Sequence, residues 1–171
     1  MNISDKYKAK AIELGLCDQW KGEWKDNSSR EELVEKFVNG NDFCIMHNFP
    51  SVQDMKNDFG DILNNFGVYA DQNIRVKNKD FIMLCGKCKA EIDVEDVFCD
   101  IYIRHDSEAK IRVSGSGRAF VRMYDNSYVD VTSKMGGRAY VYDYCGATIR
   151  IDGNAVVRDR KNIPKNLDKL S

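Results

Sequence analysis

A repeat between Ala90 and Asp159 constrains this chain more than any other feature. One phrase recurs: a small residue, any residue, a branched apolar residue, any residue, then a residue that is usually apolar. Its copies are Ala90-Ile92-Val94, Cys99-Ile101-Ile103, Ala109-Ile111-Val113, Ala119-Val121-Met123, Val129-Val131-Ser133, Ala139-Val141-Asp143, Ala147-Ile149-Ile151 and Ala155-Val157-Asp159. The middle residues step by 9, 10, 10, 10, 10, 8 and 8. A fixed period of this kind marks a fold in which each unit buries its apolar side only against its neighbours. Each phrase predicts a short strand with alternate side chains inward and outward. Between the phrases lie turn segments such as Ser114-Gly115-Ser116-Gly117, Asp125-Asn126-Ser127 and Asp152-Gly153-Asn154, whose residues tolerate the left-handed backbone of a tight corner.

The outward residues choose the architecture. Odd-numbered phrases point Glu91/Asp93, Lys110/Arg112, Asp130/Thr132 and Thr148/Arg150 outward, all polar. Even-numbered phrases point Asp100/Tyr102, Phe120/Arg122, Tyr140/Tyr142 and Val156/Arg158 outward, mostly aromatic or arginine. Two faces that alternate phrase by phrase are what a coil with two strands per turn produces, each strand stacking on the next but one. A meander would mix the two residue sets on neighbouring strands. The expectation is therefore an α+β chain: a helical region over 1–76, a β-solenoid over 77–160 of about four coils, and a flexible tail over 161–171. An antiparallel β-sandwich or meander is the competing fold.

The first 76 residues carry the helices, and Val68-Tyr69-Ala70 and Ile74-Arg75-Val76 read as short strands at the end of that region. Asp5 to Leu16 reads as one, with Tyr7, Ala11, Ile12 and Leu14 toward a core. Trp20 and Trp24 stand four apart, the spacing of a pair on one helical face. Ser29-Arg30-Glu31-Glu32 is a capping box, in which the serine hydroxyl and the glutamate each satisfy an amide left unpaired at a helix start. Phe43 to Phe49 reads as an apolar connector. Ser51 caps a third helix whose stripe is Met55, Phe59, Ile62, Leu63 and Phe66. Phe81, Met83 and Cys85 share the inward phase of an irregular first strand, and Cys99 the inward phase of its own.

With a net charge of −1 the chain has no global field to recruit nucleic acid or an anionic membrane. Its start lacks a signal-peptide apolar run, and no stretch approaches the roughly 20 apolar residues that cross a bilayer. The expected location is the cytoplasm, with the six cysteines as thiols.

Metal chemistry has one candidate: Cys85-x-x-Cys88 with Cys44-x-x-His47, three thiols and an imidazole fit for tetrahedral zinc. Against it, a single CxxC is a weak signal and cysteine is a common small core residue. Cys44 and His47, read as nucleophile and base, sit among Phe43, Ile45, Met46 and Phe49, which fits a buried structural pair better. His105 beside Asp106 reads as a solvated corner. Ser114-Gly115-Ser116-Gly117 lacks the following helix and lysine of a phosphate loop. No cofactor and no catalytic set is expected.

The aromatic face is the candidate binding site: Tyr102, Arg122, Tyr142 and Arg158 in one ladder, with Phe120, Tyr140 and Val156 in another beside it. Aromatic and arginine side chains are enriched at protein interfaces. The competing reading is that the protein's own helices cover the face, with Phe120 and Tyr140 buried and Arg122 and Arg158 partly exposed.

Asp42-Phe43-Cys44-Ile45-Met46-His47-Asn48-Phe49-Pro50-Ser51, Phe66-Gly67-Val68-Tyr69-Ala70-Asp71 and the Ala-x-Val-x-Val repeat together resemble a group of short bacterial proteins, common in gut anaerobes and their mobile elements. Members carry helices followed by a β-solenoid-like repeat. The resemblance implies the same fold and, since the group has no assigned activity, transfers no functional residues. The expected function is a non-enzymatic cytoplasmic binding protein, encoded on a phage or other mobile element, with another protein as partner; self-association through the solenoid end or the aromatic face is also open. The alternatives are a carbohydrate-acting enzyme with a site between helices and solenoid, and a zinc-stabilised module.

Overall fold

The computed structural model describes residues 1–162, and the chain passes from a helical unit to a β-solenoid at Phe66–Gly67. Of the expected tail, Lys161 and Asn162 form a turn, and 163–171 lie outside the described residues.

The helical unit begins with α1 (Ile3–Glu13), capped by the Asn2 side chain, which accepts from the Asp5 amide. Then come α2 (Asp18–Glu23), α3 (Arg30–Asn39) and α4 (Asn41–His47). The capping box forms as expected: Ser29 Oγ accepts from the Glu32 amide at 3.1 Å, and Glu32 Oε2 from the Ser29 amide at 2.9 Å. The segment expected as a connector is largely α4. The third expected helix is divided into α5 (Val52–Asp54), a π-helical turn (Met55–Phe59) and α6 (Ile62–Asn65). Gly60 causes the break, with φ 50° and ψ −128°, a conformation that a side chain disfavours. Its core is a ring cluster in which Phe37, Phe49 and Phe59 lie 5.4, 5.9 and 5.2 Å from Tyr7. Tyr7 and Ala11 are buried, whereas Ile12 faces solvent.

Tyr7 is held at its polar end too. Its hydroxyl donates to Asp58 Oδ2 at 2.6 Å, and Lys6 Nζ donates to the same oxygen at 2.6 Å. The Lys6 bond first, then the Tyr7 bond, holds the Asp58 carboxyl below its usual range. A lowered carboxylate pKa stabilises the fold above the unfolded value of about 4 and loses that effect as pH falls through the lower folded value. Asp58→Ala should cost about 1–3 kcal/mol, because it orphans a buried hydroxyl. It should also flatten the acid limb of the melting-temperature profile, which a series of thermal melts reads directly.

The solenoid has β1 (Val68–Ala70), β2 (Asn73–Lys77), β3 (Phe81–Cys85), β4 (Lys89–Glu95), β5 (Phe98–Ile103), β6 (Glu108–Ser114), β7 (Arg118–Met123), β8 (Tyr128–Ser133), β9 (Arg138–Asp143), β10 (Thr148–Gly153) and β11 (Ala155–Asp159). Odd strands form one six-stranded sheet and even strands a five-stranded sheet, each strand pairing with the next but one. All pairings are parallel, with Ile111 against Val131 and Val121 against Val141. This is the two-strand coil the repeat predicts, and it excludes the meander. The sheets start at Val68, ahead of the expected boundary at 76/77, because β1 and β2 pair with β3 and β4.

Two phases differ from expectation. In β3 the core residues are Ile82 and Leu84, which pair with Ile101 and Ile103. Phe81, Met83 and Cys85 therefore take the outward phase, although Met83 and Cys85 are still buried. Every residue of β3 is apolar, so no alternation in the sequence shows its register. In β10, Ile149 pairs with Val129 and Ile151 with Val131, so the phrase centre is Ile151. The two eight-residue steps resolve into a ten from Val141 to Ile151 and a six from Ile151 to Val157. The shortening falls at the corner between β10 and β11, where Asn154 alone links the strands.

Corners are built from left-handed residues whose side chains bond the neighbouring coil. Asn78 (φ 52°) accepts from the Glu95 amide and Asp96 (φ 54°) from the Ser116 amide. His105 (φ 56°) accepts on Nδ1 from the Gly86 amide at 2.9 Å, and Asp125 (φ 58°) accepts from the His105 amide. Asp143 turns inward yet is satisfied, its Oδ1 accepting from the amides of Cys145, Gly146 and Ala147. Met135 breaks the pattern: φ is 53° and the side chain is 86% exposed, with nothing to bond. Met135→Asn should raise stability by about 1 kcal/mol, the scale of the left-handed penalty it relieves, and urea melts should show the gain.

Candidate functional site

The six candidate residues lie on the outer face of the six-stranded sheet in two adjacent columns. Tyr102 pairs with Arg122, Arg122 with Tyr142 and Tyr142 with Arg158. Phe120 pairs with Tyr140, and Tyr140 with Val156. Register follows from the 20-residue coil: positions that far apart in β5, β7 and β9 stand one strand spacing apart.

Stacking fixes most of these side chains. The Arg122 guanidinium lies 5.0 Å from the Tyr102 ring and 5.7 Å from the Tyr142 ring, and its Nη1 donates to Asp100 Oδ1 at 2.9 Å. Arg158 stands 5.8 and 5.9 Å from the rings of Tyr140 and Tyr142, and Arg160 reaches Tyr142 at 5.6 Å. Phe120 stacks on Tyr140 at 5.4 Å and 11°. Neighbouring rings thus occupy each other's faces and present their edges outward, which suits side-chain packing better than intercalation of a flat ligand.

Exposure is graded along the strands. Tyr102, Tyr124 and Tyr144 are buried at the C-terminal end of this face. Phe120, Tyr140, Tyr142 and Arg122 are half-buried, and Arg158 is exposed. Phe120 and Tyr140 are thus less covered than the expectation of burial had them.

Phe98 lies beyond the candidates that the sequence singled out. It is 70% exposed and stacks on Phe120 at 6.5 Å and 14°. Arg118 and Arg138 follow it in the same column. Their 20-residue spacing was visible in the sequence, one outward position ahead of each phrase. Arg118 lies along the corner, where Nη1 donates to the Gly117 carbonyl at 2.7 Å. With Arg118, Arg122, Arg138 and Arg158 on the outward strand positions and Asp100 as their carboxylate, the face is cationic. No family model, curated protein or solved structure matches the chain.

The proposed zinc residues are divided between the units. Cys44 and His47 lie on α4, where the His47 ring packs 4.5 Å from that of Phe43. Cys85 and Cys88 lie in the solenoid, and the Cys88 Sγ stands 3.4 and 3.3 Å from the carbonyl oxygens of Tyr69 and Cys85, the two acceptors within reach of its one hydrogen. Burial pushes the Cys85 thiol up to about 11 and that of Cys99 up to about 12, which disfavours the thiolate that metal binding or nucleophilic attack requires. Among the described residues no three His, Cys, Asp or Glu side chains gather as metal ligands. His105 is half-buried, and burial, then Arg104, lowers its pKa. No described helix is long and apolar enough to cross a membrane.

Proposed function

We propose that this is a non-enzymatic binding protein of the cytoplasm that engages an acidic surface of another protein through the open part of its aromatic and arginine face. The observation that supports this most is the exposed Phe98 stacked on half-buried Phe120, beside arginines that outnumber the carboxylates. A parallel solenoid holds such a face rigid, so little conformational freedom is lost when a partner docks. Arginine and aromatic groups also contribute the largest single terms at interfaces.

The test is capture of a partner by immobilised protein, repeated with Arg158→Glu. Arg158 is exposed and the β11 edge packs lightly, so this variant should melt with the wild type. Capture should fall at least about tenfold and should weaken with salt. Equal capture by wild type and variant would remove this face from the function.

A further inference from the structure

The helical unit contains a cavity of about 220 Å³ whose lining residues all belong to that unit, walled by Leu16, Trp20, Trp24, Phe37, Phe43 and Phe49. A closed apolar cavity of roughly 150 Å³ already accommodates benzene, so this one has room for a substituted ring. Its distinguishing feature is Lys36, which also lines it. Lys36 Nζ stands 5.2 Å from the Trp20 ring and 5.4 Å from the Trp24 ring. The indole of Trp24 is itself fixed, since its Nε1 donates to Ser4 Oγ at 3.1 Å.

Indole faces attract an ammonium but do not accept its three hydrogens as a carboxylate would. Among the described residues no carboxylate lies within ion-pair distance of Lys36. Asp42 lines the same cavity but has a contact of its own. An apolar aromatic recess with one positioned cation is complementary to an aromatic ring carrying an anionic group. We infer that this cavity is a binding site for a small aromatic carboxylate, its ring among Trp20, Phe37, Phe43 and Phe49 and its carboxylate on Lys36. The site is distinct from the protein-binding face, and neither reading depends on the other.

The chain's two tryptophans both line the cavity, so their fluorescence reports occupancy directly. The probe is phenylacetate, with phenylacetamide as its uncharged isostere, titrated into the full-length protein and repeated by calorimetry. Phenylacetate should bind at least about tenfold more tightly than the amide, the margin of one charge-assisted hydrogen bond. Lys36→Met keeps the stem and removes the charge. It should erase that preference, so that the two probes bind alike, and Lys36→Arg should retain it. Equal binding of both probes by the wild type would overturn the anionic assignment, and no binding of either would overturn the site. Should the methionine variant not fold, the wild-type comparison of the two probes still decides.

Discussion

Val131→Asp should abolish the folded solenoid. Val131 is fully buried, between Ile111 on one side and Ile151 on the other along its sheet. A carboxylate there is taken out of water with no donor to receive it, and even its neutral form leaves a polar group unpaired. The cost is several kcal/mol or more, on the scale of a domain's entire stability of about 5–15 kcal/mol. Loss of the β signal in circular dichroism, or a chain recovered only from inclusion bodies, would be the expected result. The same change one coil further is the control. Ile151 occupies the same column but is 45% exposed, so Ile151→Asp leaves its charge in water and should be tolerated. If the two variants melted alike, the depth of burial assigned to the column would be wrong.

That contrast shows what the sequence made legible and what it did not. The column itself could be read, because a strict alternation of apolar and polar residues admits one register and a slip by one residue would expose every valine. The pairing of alternate strands was legible for the same reason: the two faces carry different chemistry. Where alternation failed, so did the reading. Phe81 to Cys85 has no polar residue to mark a face, and its inward pair came out as Ile82 and Leu84. At the other end a shortened corner made two spacings look alike, and only the pairing of Ile151 with Val131 shows where the residues were lost. Helix boundaries were similarly obscured. The apolar stripe from Met55 to Phe66 is continuous in sequence, but the positive φ of Gly60 divides it. In the candidate site, the columns from Tyr102 to Tyr142 and from Phe120 to Tyr140 follow the 20-residue spacing, and the alternation of the two faces adds Arg158 and Val156 across the shortened last coil. The exposure of Phe98 could not, since it depends on which parts of the face are covered, and neither could the cavity around Lys36, which needs residues from four helices and the segments joining them to converge.

The coil spacing makes the second large prediction, Gly137→Ala. Parallel strands lie about 4.8 Å apart, and at the Gly137 corner backbone of the neighbouring coil already occupies the space a side chain would need. A Cβ on Gly137 would stand 2.6 Å from the carbonyl carbon and oxygen of Val113 and 2.7 Å from the Ser114 amide nitrogen. These are main-chain atoms, fixed by the pairing of β6 with β8, so they cannot turn aside as a flexible side chain would. The coils must separate at that corner, straining the bond from the Arg138 amide to the Gly117 carbonyl. The expected loss is about 3 kcal/mol or more, beyond the usual cost of one methyl in an overpacked core. Gly22→Ala provides the opposite sign within the same protein. Gly22 lies in α2 with nothing within 4 Å of its added Cβ, so alanine there should gain about 0.5–1 kcal/mol from helix propensity. Urea denaturation of the two single variants separates them: the Gly137 midpoint should fall and the Gly22 midpoint should hold or rise. A Gly137→Ala protein as stable as the wild type would mean that the coils are not stacked as closely at this corner as the contact with Val113 requires.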